Sequence, residues 1–222
     1  MKKVISFSLW GTDKKYTLGA IRNIEHARRI YPGWKCRFYI SLDVPPSVIS
    51  VLLSLGGEIF MTEKSDGYSG LYWRFQVAFD PDVDRFLIRD TDSRLNPREA
   101  AAVREWEESG KQFHAMRDHQ FHTVPIMGGM WGAVKGFMPH FESRLDDWLE
   151  GVNPGTAPQG AYHNTDQVFL QEMVWPWVKP NCIVHDDRKT ITGKEFPFQV
   201  KLPGDLFVGQ AFESNEKPIN NY

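Results

Sequence analysis

The sequence is poor in the features that would place it in several large classes of protein. Only two cysteines, Cys36 and Cys182, occur in its 222 residues, and both lie in apolar runs typical of strands. This usage predicts reduced, buried thiols rather than a disulfide framework, and it favours a cytosolic protein. The formal net charge is −2 and no Lys/Arg stripe occurs, which argues against a nucleic-acid-binding surface.

Long apolar runs are also missing. No stretch approaches the roughly 18 apolar residues of a membrane-spanning helix, so at most a peripheral membrane contact is expected. The start of the chain, from Met1 to Trp10, has some character of a signal peptide, but its apolar part is short and lacks a small-residue cleavage site. We expect a first β-strand there instead.

Length and patterning predict a single α/β domain over residues 1–222. Chains of roughly 200 to 250 residues often form one α/β unit, and a hydrophobic content of 41% is enough for a core. Apolar runs typical of strands alternate with segments of helical periodicity, which predicts a mainly parallel sheet with helices on both faces.

The predicted strands are 4–10, 36–42, 58–61, 84–89, 112–116 and 182–185. The predicted helices are 17–31, 45–55, 71–79, 97–109, 139–149 and 164–174. The region around Trp131, interrupted by a proline and several glycines, is expected to be irregular. We expect residues 151–160 to form a loop and the tail from Phe196 to wrap the surface.

The most informative motif is Asp90-Thr91-Asp92, which follows the apolar run from Arg85 to Arg89. Two carboxylates two residues apart at the end of a buried strand can hold a hard divalent cation, and that cation can hold a diphosphate. A strand that ends in this way suggests a nucleotide-sugar transferase.

The simplest structural explanation of the motif is that it caps the next helix. That helix, however, has its own start signal, with Asn96 as N-cap, Pro97 at the first helical position and Glu99 placed to complete a capping box. A structural ion-pair cluster with Arg89 and Arg94 remains the alternative to a metal site.

Other candidate residues follow from sheet topology, because open α/β sheets bind ligands beyond the carboxyl ends of their strands. Trp10, Gly11 and Thr12 follow the first predicted strand, and Asp43 follows the second. Gly11 would let the backbone approach a base closely, while Asp43 could accept a hydrogen bond from the N3–H of a uracil. Arg74 could bind a pyrophosphate or orient a carboxylate. The alternatives are a core position for Trp10, a turn role for Asp43 and a solvated charge for Arg74.

In order along the chain, a series of short motifs resembles glycosyltransferases of the GT-A fold. The motifs are Trp10-Gly11-Thr12, Asp43, Trp73-Arg74-Phe75, Arg89-Asp90-Thr91-Asp92-Ser93-Arg94, Met116-Arg117-Asp118-His119, Pro125-Ile126-Met127-Gly128-Gly129-Met130-Trp131-Gly132, Asp166-Gln167 and His185-Asp186. The likeness covers nearly the whole chain and points to small enzymes of bacterial surface-polysaccharide clusters and of large DNA viruses.

This resemblance implies a GT-A (Rossmann-like) domain whose nucleotide-binding part spans about residues 1–110 and whose sugar and acceptor part spans about 111–222. It implies transfer of a sugar from a nucleoside diphosphate, as a UDP-sugar, to a glycan acceptor hydroxyl. Mn²⁺ or Mg²⁺ would bridge the phosphates and the two carboxylates of the motif, Asp90 and Asp92.

Further roles rest on the same resemblance. His185 takes the place of a third metal ligand, and an imidazole there would favour Mn²⁺; a strand-end histidine paired with Asp186 is the alternative. Asp118, Gly128 and Gly129 take positions that bind hydroxyls of the donor sugar.

Asp166 and Gln167 take the position that faces the anomeric carbon and the acceptor in the families resembled. Asn164 with Gln167 also forms a capping box, so these residues can serve as a helix start as well. An inverting enzyme would need a carboxylate base, for which Asp166 is the first candidate and Asp118 the second. The likeness to families with an Asp-Gln helix favours retention instead.

Three other classes of function stay open on the sequence alone. A zinc hydrolase is suggested by His114, His119, His122 and His163, since His119-x-x-His122 is close to ligand spacing. Such an enzyme would also need a third ligand and an oriented base, and the segment with His119 and His122 is a Pro-flanked loop rather than a helix. A nucleotidyltransferase would usually show a better phosphate loop than residues 11–15. A noncatalytic sugar-binding module would not need a metal-diphosphate site.

Overall fold

The computed structural model describes residues 1–63, 69–151, 164–187 and 195–219. Its strands are β1 (Lys3–Leu9), β2 (Trp34–Ser41), β3 (Glu58–Thr62), β4 (Arg85–Ile88), β5 (Phe113–Arg117), β6 (Trp131–Val134) and β7 (Cys182–Asp186). Its helices are α1 (Lys14–Ile30), α2 (Pro46–Ser54), α3 (Gly70–Trp73), α4 (Pro97–Ser109), α5 (Phe141–Gly151), α6 (Thr165–Phe169) and α7 (Trp175–Val178). A 3₁₀ segment (Arg74–Phe79) continues α3, and a π-helical turn (Leu170–Val174) joins α6 to α7.

The seven strands form a sheet in the order β3-β2-β1-β4-β6-β5-β7. All neighbouring pairs are parallel except those of β6, which runs antiparallel to both β4 and β5. The predicted alternation of strands and helices in a mainly parallel sheet is therefore confirmed. Each of the six predicted strands lies within two residues of its observed bounds.

The strand β6 was not predicted, because glycines interrupt the apolar pattern around it. Its glycine has a packing reason: a Cβ on Gly132 would lie 2.6 Å from Leu87 Cδ2 and 2.7 Å from the Phe86 carbonyl oxygen. The absence of a side chain thus lets β6 pair closely with β4. The neighbouring Trp131 is fully buried and contacts the rings of Phe75 and Phe113, each at a centroid distance of 5.3 Å.

Apolar side chains cover both faces of the sheet, as the alternation of strands and helices along the chain predicts. On one face α1, α2 and α4 bury Ile24, Leu52 and Trp106 against β1 and β2. On the other face the segments 70–79, 141–151 and 164–174 bury a second core around Phe75 and Phe169. This two-sided burial explains why the strands are nearly continuous apolar runs.

The start of α4 agrees with its sequence signal only in part. Asn96 is the N-cap, and its Oδ1 accepts a hydrogen bond from the Glu99 amide at 3.0 Å. The second half of the predicted capping box is wrong. The Glu99 carboxylate is buried and instead accepts hydrogen bonds from Tyr31 Oη at 2.7 Å and Arg89 Nε at 3.3 Å, which links α4 to α1 and to the end of β4.

The two cysteines are free thiols on distant strands. Cys36 lies in β2 and Cys182 in β7, five strand steps apart, which at about 4.8 Å per step separates them by roughly 24 Å. A disulfide needs Cα atoms within about 7 Å, so the two cannot pair in this fold. Burial raises the pKa of each thiol to about 12.

In the described part of the chain, no helix is both long enough and apolar enough to cross a bilayer.

We expect the substitution Asn96→Ala to lower the free energy of unfolding by about 1 kcal/mol, because it removes the side-chain acceptor from the α4 N-terminus. Asn96→Asp keeps an acceptor at the same place and is the matched control. Urea unfolding followed by circular dichroism measures both. A loss of equal size in the two variants would contradict the capping role.

Candidate active site

A cleft of about 860 Å³ opens beyond the carboxyl ends of β1 and β4. Its described walls come from the ends of these strands, the start of the 3₁₀ segment, residues 119–130, the start of α6 and the C-terminal tail. Predicted site residues among them are Trp10, Arg74, Asp90, Asp92, Gly128, Gly129, Asp166 and Gln167. The structure therefore brings together most of the residues singled out from the sequence.

Asp90 and Asp92 present their carboxylates to this cleft. The Asp90 side chain is 42% exposed and forms an ion pair with Arg74 Nη1. Asp92 Oδ2 lies 2.9 Å from Lys15 Nζ. Burial and the neighbouring Asp90 raise the pKa of Asp92, although Lys15 acts in the opposite direction.

The alternative ion-pair cluster with Arg89 and Arg94 is wrong. Arg89 pairs with Glu99, and Arg94 donates to main-chain carbonyls and to Glu216. The cations that pair with the motif are Arg74 and Lys15, neither of which is adjacent to it in sequence.

The main chain of the motif is held by α1. Asn23 Nδ2 donates to the carbonyl oxygens of Thr91 at 3.3 Å and Ser93 at 2.9 Å, while Asn23 Oδ1 accepts from the Leu95 amide at 2.9 Å. On the same helix Gly19 faces the motif, and a Cβ there would overlap the Thr91 carbonyl oxygen. A glycine is therefore required for α1 to pack this closely against the main chain of the motif.

Arg74 joins two separate parts of the site. It lies at the junction of α3 and the 3₁₀ segment and is 5% exposed, so the alternative of a solvated charge is wrong. Besides Asp90, it binds Asp166, with Nη2 at 2.8 Å from Oδ2. Burial alone would lower the pKa of Arg74, but the charges of Asp90 and Asp166 outweigh it and raise that pKa.

Asp166 is buried in the first turn of α6 with both carboxylate oxygens engaged. Oδ2 binds Arg74, and Oδ1 accepts from the Gln167 amide at 2.9 Å. Burial, reinforced by the charge of Asp90, raises the pKa of Asp166 even though Arg74 opposes the shift. The helix does begin after Asn164, but the Asn164 side chain accepts from Gln167 Nε2 at 2.7 Å rather than from a backbone amide.

Gly128 and Gly129 lie directly against these carboxylates. A Cβ on Gly128 would overlap Asp166 Oδ2, and a Cβ on Gly129 would overlap Asp90 Oδ2. The absence of a side chain at both glycines thus lets the two carboxylates pack directly against the backbone of residues 128 and 129.

The residues after β1 and β2 form a connected pair. Gly11 has φ +73°, and its amide donates to Asp43 Oδ1 at 2.9 Å. Trp10 lines the cleft and packs edge-on against Trp73, with ring centroids 6.1 Å apart. Gly11, Thr12 and Asp43 lie next to the cleft in sequence but are not among the described residues that line it.

Asp118 has a different environment from the predicted one. Its carboxylate binds Arg98 through two hydrogen bonds of 2.7 and 2.6 Å and accepts from the Val208 amide at 2.9 Å. It is absent from the described lining of the cleft. These bonds join the end of β5 to α4 and to the tail, so the geometry supports a structural role rather than contact with a donor sugar.

His185 lies away from the Asp90-Thr91-Asp92 motif. Its strand β7 lies three steps from β4, roughly 14 Å at the usual strand spacing. His185 Nδ1 lies 2.9 Å from His114 Nε2, and His185 Nε2 lies 3.1 Å from Glu105 Oε2. The prediction of a third metal ligand is therefore wrong. The alternative pairing with Asp186 is wrong too, because Asp186 accepts from Arg117 Nε at 2.8 Å.

The three described histidines that suggested zinc do not form a metal site with other described side chains. His114 is buried against His185, and His122 Nδ1 accepts from the Asp118 amide at 2.9 Å. His119 stacks on Phe207 at a centroid distance of 4.1 Å, and His163 lies outside the described residues. Within the described ranges, no group of three His, Cys, Asp or Glu side chains is arranged to hold a metal ion.

Sequence reasoning missed several residues at the cleft. Tyr16 lines the cleft and the adjacent Lys15 binds Asp92. Both follow β1 by a few positions, so the strand-end rule applied more widely would have found them. Gly209 and Ala211 of the tail also line the cleft, and the Phe212 amide donates to the Asp92 carbonyl oxygen at 2.9 Å. No local signal in the sequence indicates that this distant segment reaches the motif.

Neither a protein-family model nor a curated protein sequence matches the chain. Solved structures do match. A glycosyltransferase involved in the glycosylation of the major capsid of PBCV-1 superposes with a TM-score of 0.51 at 16% identity, over 84% of this chain and 82% of that one. The galactosyltransferase LgtC, in complex with donor and acceptor sugar analogs, gives a TM-score of 0.51 at 12% identity, over 84% and 74%. The fold is therefore that of the GT-A glycosyltransferases.

We expect acid to destabilise the protein through the buried pair His114 and His185. Burial lowers the pKa of both imidazoles, that of His114 well below its usual value, while the unfolded chain takes up protons below about pH 6.5. The stabilisation is therefore present above that pH and is lost as the pH falls toward the folded-state pKa. Each histidine adds a slope of at most about 1.4 kcal/mol per pH unit.

Urea unfolding between pH 7 and pH 5 measures this slope. His114→Gln should be less stable at pH 7 but should lose less stability on acidification. The exposed His140 has φ +58°, so His140→Asn is the matched control, since asparagine tolerates this backbone conformation. Equal slopes in the wild type and in His114→Gln would contradict the assignment.

Proposed function

We propose that this protein is a metal-dependent glycosyltransferase that moves a sugar from a nucleoside diphosphate sugar to a hydroxyl of a glycan acceptor. One observation carries the proposal. At the carboxyl ends of β1 and β4, where open α/β sheets bind ligands, the carboxylates of Asp90 and Asp166 bind the guanidinium of Arg74, and the carboxylate of Asp92 binds Lys15 beside them.

The charge of this cleft supports dependence on a metal ion. Three carboxylates and one guanidinium among its described lining give a formal charge of −2, which Lys15 beside Asp92 reduces to −1. A diphosphate would be repelled from such a surface unless a cation came with it. The proposed donor is a UDP-sugar and the proposed cation Mn²⁺ or Mg²⁺.

The residues present fit such a cation. Asp90 and Asp92 supply hard carboxylate oxygens at the cleft, the type of ligand that Mg²⁺ and Mn²⁺ prefer. When bound, the cation would offset the negative charge that develops on the departing diphosphate. The raised pKa of Asp92 points the same way, because a buried carboxylate beside another one is stabilised by an added cation.

The chain's own residues would hold the donor in place. Arg74 keeps Asp90 and Asp166 at a fixed spacing, so the diphosphate end and the sugar end of a donor would be oriented by one side chain. Gly128 and Gly129, whose backbone lies against these carboxylates and lines the cleft, would hydrogen-bond hydroxyls of the donor sugar. Trp10, Gly11, Thr12 and Asp43 are the proposed binding residues for the nucleobase of the donor. All four lie in the proposed nucleotide-binding part, residues 1–110.

We propose transfer with retention of anomeric configuration. An inverting enzyme needs a carboxylate free to take the proton of the acceptor hydroxyl. Asp166 already uses both oxygens, and Asp118 is committed to Arg98. The arrangement suits Asp166 and Gln167 better to hydrogen bonding with the donor sugar than to proton abstraction.

Calorimetry should show UDP binding that depends on Mn²⁺. We expect Asp92→Asn to weaken this binding by at least about 100-fold, because even changes to groups that only support a metal ligand cost 10–100-fold. Asp146→Asn, an exposed carboxylate on α5, is the control and should bind as the wild type does. Binding of UDP that is independent of Mn²⁺ would argue against the proposal, and slow hydrolysis across UDP- and GDP-sugars would identify the donor.

NMR of the product tests the stereochemistry. With the donor identified in this way, the anomeric proton coupling of the first-formed product should match that of the donor. Asp166→Asn should lower kcat and should not convert the enzyme to the other anomer. An inverted product from the wild type would refute retention and would point to a base at the cleft.

A further inference from the structure

The C-terminal hairpin, residues 209–219, lies against the metal-binding motif. Ser93 forms an antiparallel bridge with Ala211, and the Phe212 amide donates to the Asp92 carbonyl oxygen at 2.9 Å. The hairpin closes on itself through the Ile219 amide, which donates to the Ala211 carbonyl oxygen at 2.9 Å. A segment about 120 residues away in the chain is therefore part of the wall beside the two carboxylates.

Arg94 is the side chain through which the hairpin and the motif are connected. It is buried, and its Nη1 donates to the carbonyl oxygens of Thr91 at 3.3 Å, Asp92 at 3.2 Å and Ser93 at 2.9 Å. Its Nε and Nη2 donate to the two carboxylate oxygens of Glu216, both at 3.1 Å. One guanidinium thus binds three consecutive carbonyls of the motif and a carboxylate of the hairpin.

The backbone of residues 91–93 is therefore held by two side chains, the Asn23 amide from α1 and the Arg94 guanidinium, whose orientation depends on its carboxylate partner. Three carbonyl dipoles that converge on one point repel each other unless a cation lies between them. A guanidinium can bind these carbonyl oxygens only while its plane keeps one orientation. The two hydrogen bonds to the Glu216 carboxylate fix that orientation. Arg22 Nε is 4.0 Å from Glu216, an exposed and weaker contact that does not replace Arg94.

We propose that Glu216 is a positioning residue for the metal-diphosphate site, acting through Arg94 on the backbone of residues 91–93 and so on the Asp92 carboxylate. Its effect on ligand binding rests on the proposed function. Its effect on the backbone of the motif does not, and this difference allows the two to be tested separately.

The variant Glu216→Gln keeps the size of the side chain and removes its charge. Glu213→Gln, an exposed glutamate in the same hairpin, is the matched control. In the protein without ligand, Glu216→Gln should speed amide hydrogen exchange at residues 91–95 and at Phe212, with little change in Tm because Glu216 is 41% exposed. Glu213→Gln should exchange as the wild type does.

Binding gives the second readout. We expect Glu216→Gln to weaken Mn²⁺-dependent UDP binding by about tenfold, at the lower end of the effect of groups that support a metal ligand. Arg94→Lys should lose at least as much, because lysine keeps the charge but not the planar fork.

The outcomes separate the two proposals. If the wild type binds no UDP with Mn²⁺, the proposed function fails, while hydrogen exchange still decides the role of Glu216. If Glu216→Gln leaves both exchange at residues 91–95 and UDP binding unchanged, the positioning role is refuted. Faster exchange with unchanged binding would also refute it, because Glu216 would then only stabilise the hairpin.

Discussion

A single buried guanidinium holds the candidate site together. Arg74 binds Asp90 at the end of β4 and Asp166 at the start of α6, residues that are 16 and 92 positions away in the chain. Burying three charges together is favourable only when each one finds a partner of opposite sign with good geometry. The same contacts that make this junction of the sheet and α6 stable therefore also set the spacing of the carboxylates in the cleft.

The second constraint on the site is steric. Gly19, Gly128 and Gly129 approach the acidic residues so closely that a Cβ on any of them would overlap a carbonyl or carboxylate oxygen. These glycines are needed for space rather than for an unusual backbone conformation, since none of the three has a positive φ. The carboxylates are thus enclosed by backbone on one side and by cationic side chains on the other.

Much of this could be predicted from the sequence because it depends on local patterns. Apolar alternation located six of the strands, and Asn96 was identified as an N-cap from its neighbours alone. The rule that ligands bind at the carboxyl ends of strands led to Trp10, Asp90 and Asp92, all of which line the cleft. These inferences need only the residue types within a few positions of each other.

The predictions that failed concern residues whose partners come from distant parts of the chain, and the sequence does not show which elements lie side by side. His185 follows the strand-end rule, but β6 and β5 lie between its strand and β4, so the rule placed it at the wrong part of the edge. Asp118 looked free because its partner, Arg98, comes from α4, on another element of the fold. The contacts of Arg94 and Glu216 were hidden for the same reason, since they join segments that are 122 residues apart.

The reversed strand β6 has a consequence for how the chain reaches its fold during synthesis. Residues 1–88 contain all four strands of the parallel half, β3-β2-β1-β4, and leave the ribosome before β6 is made. Until residues 131–134 follow, β4 is an open edge with unpaired backbone groups and an apolar sequence, which is a template for pairing with other chains. A short four-residue strand therefore closes one of the two open edges of the parallel half.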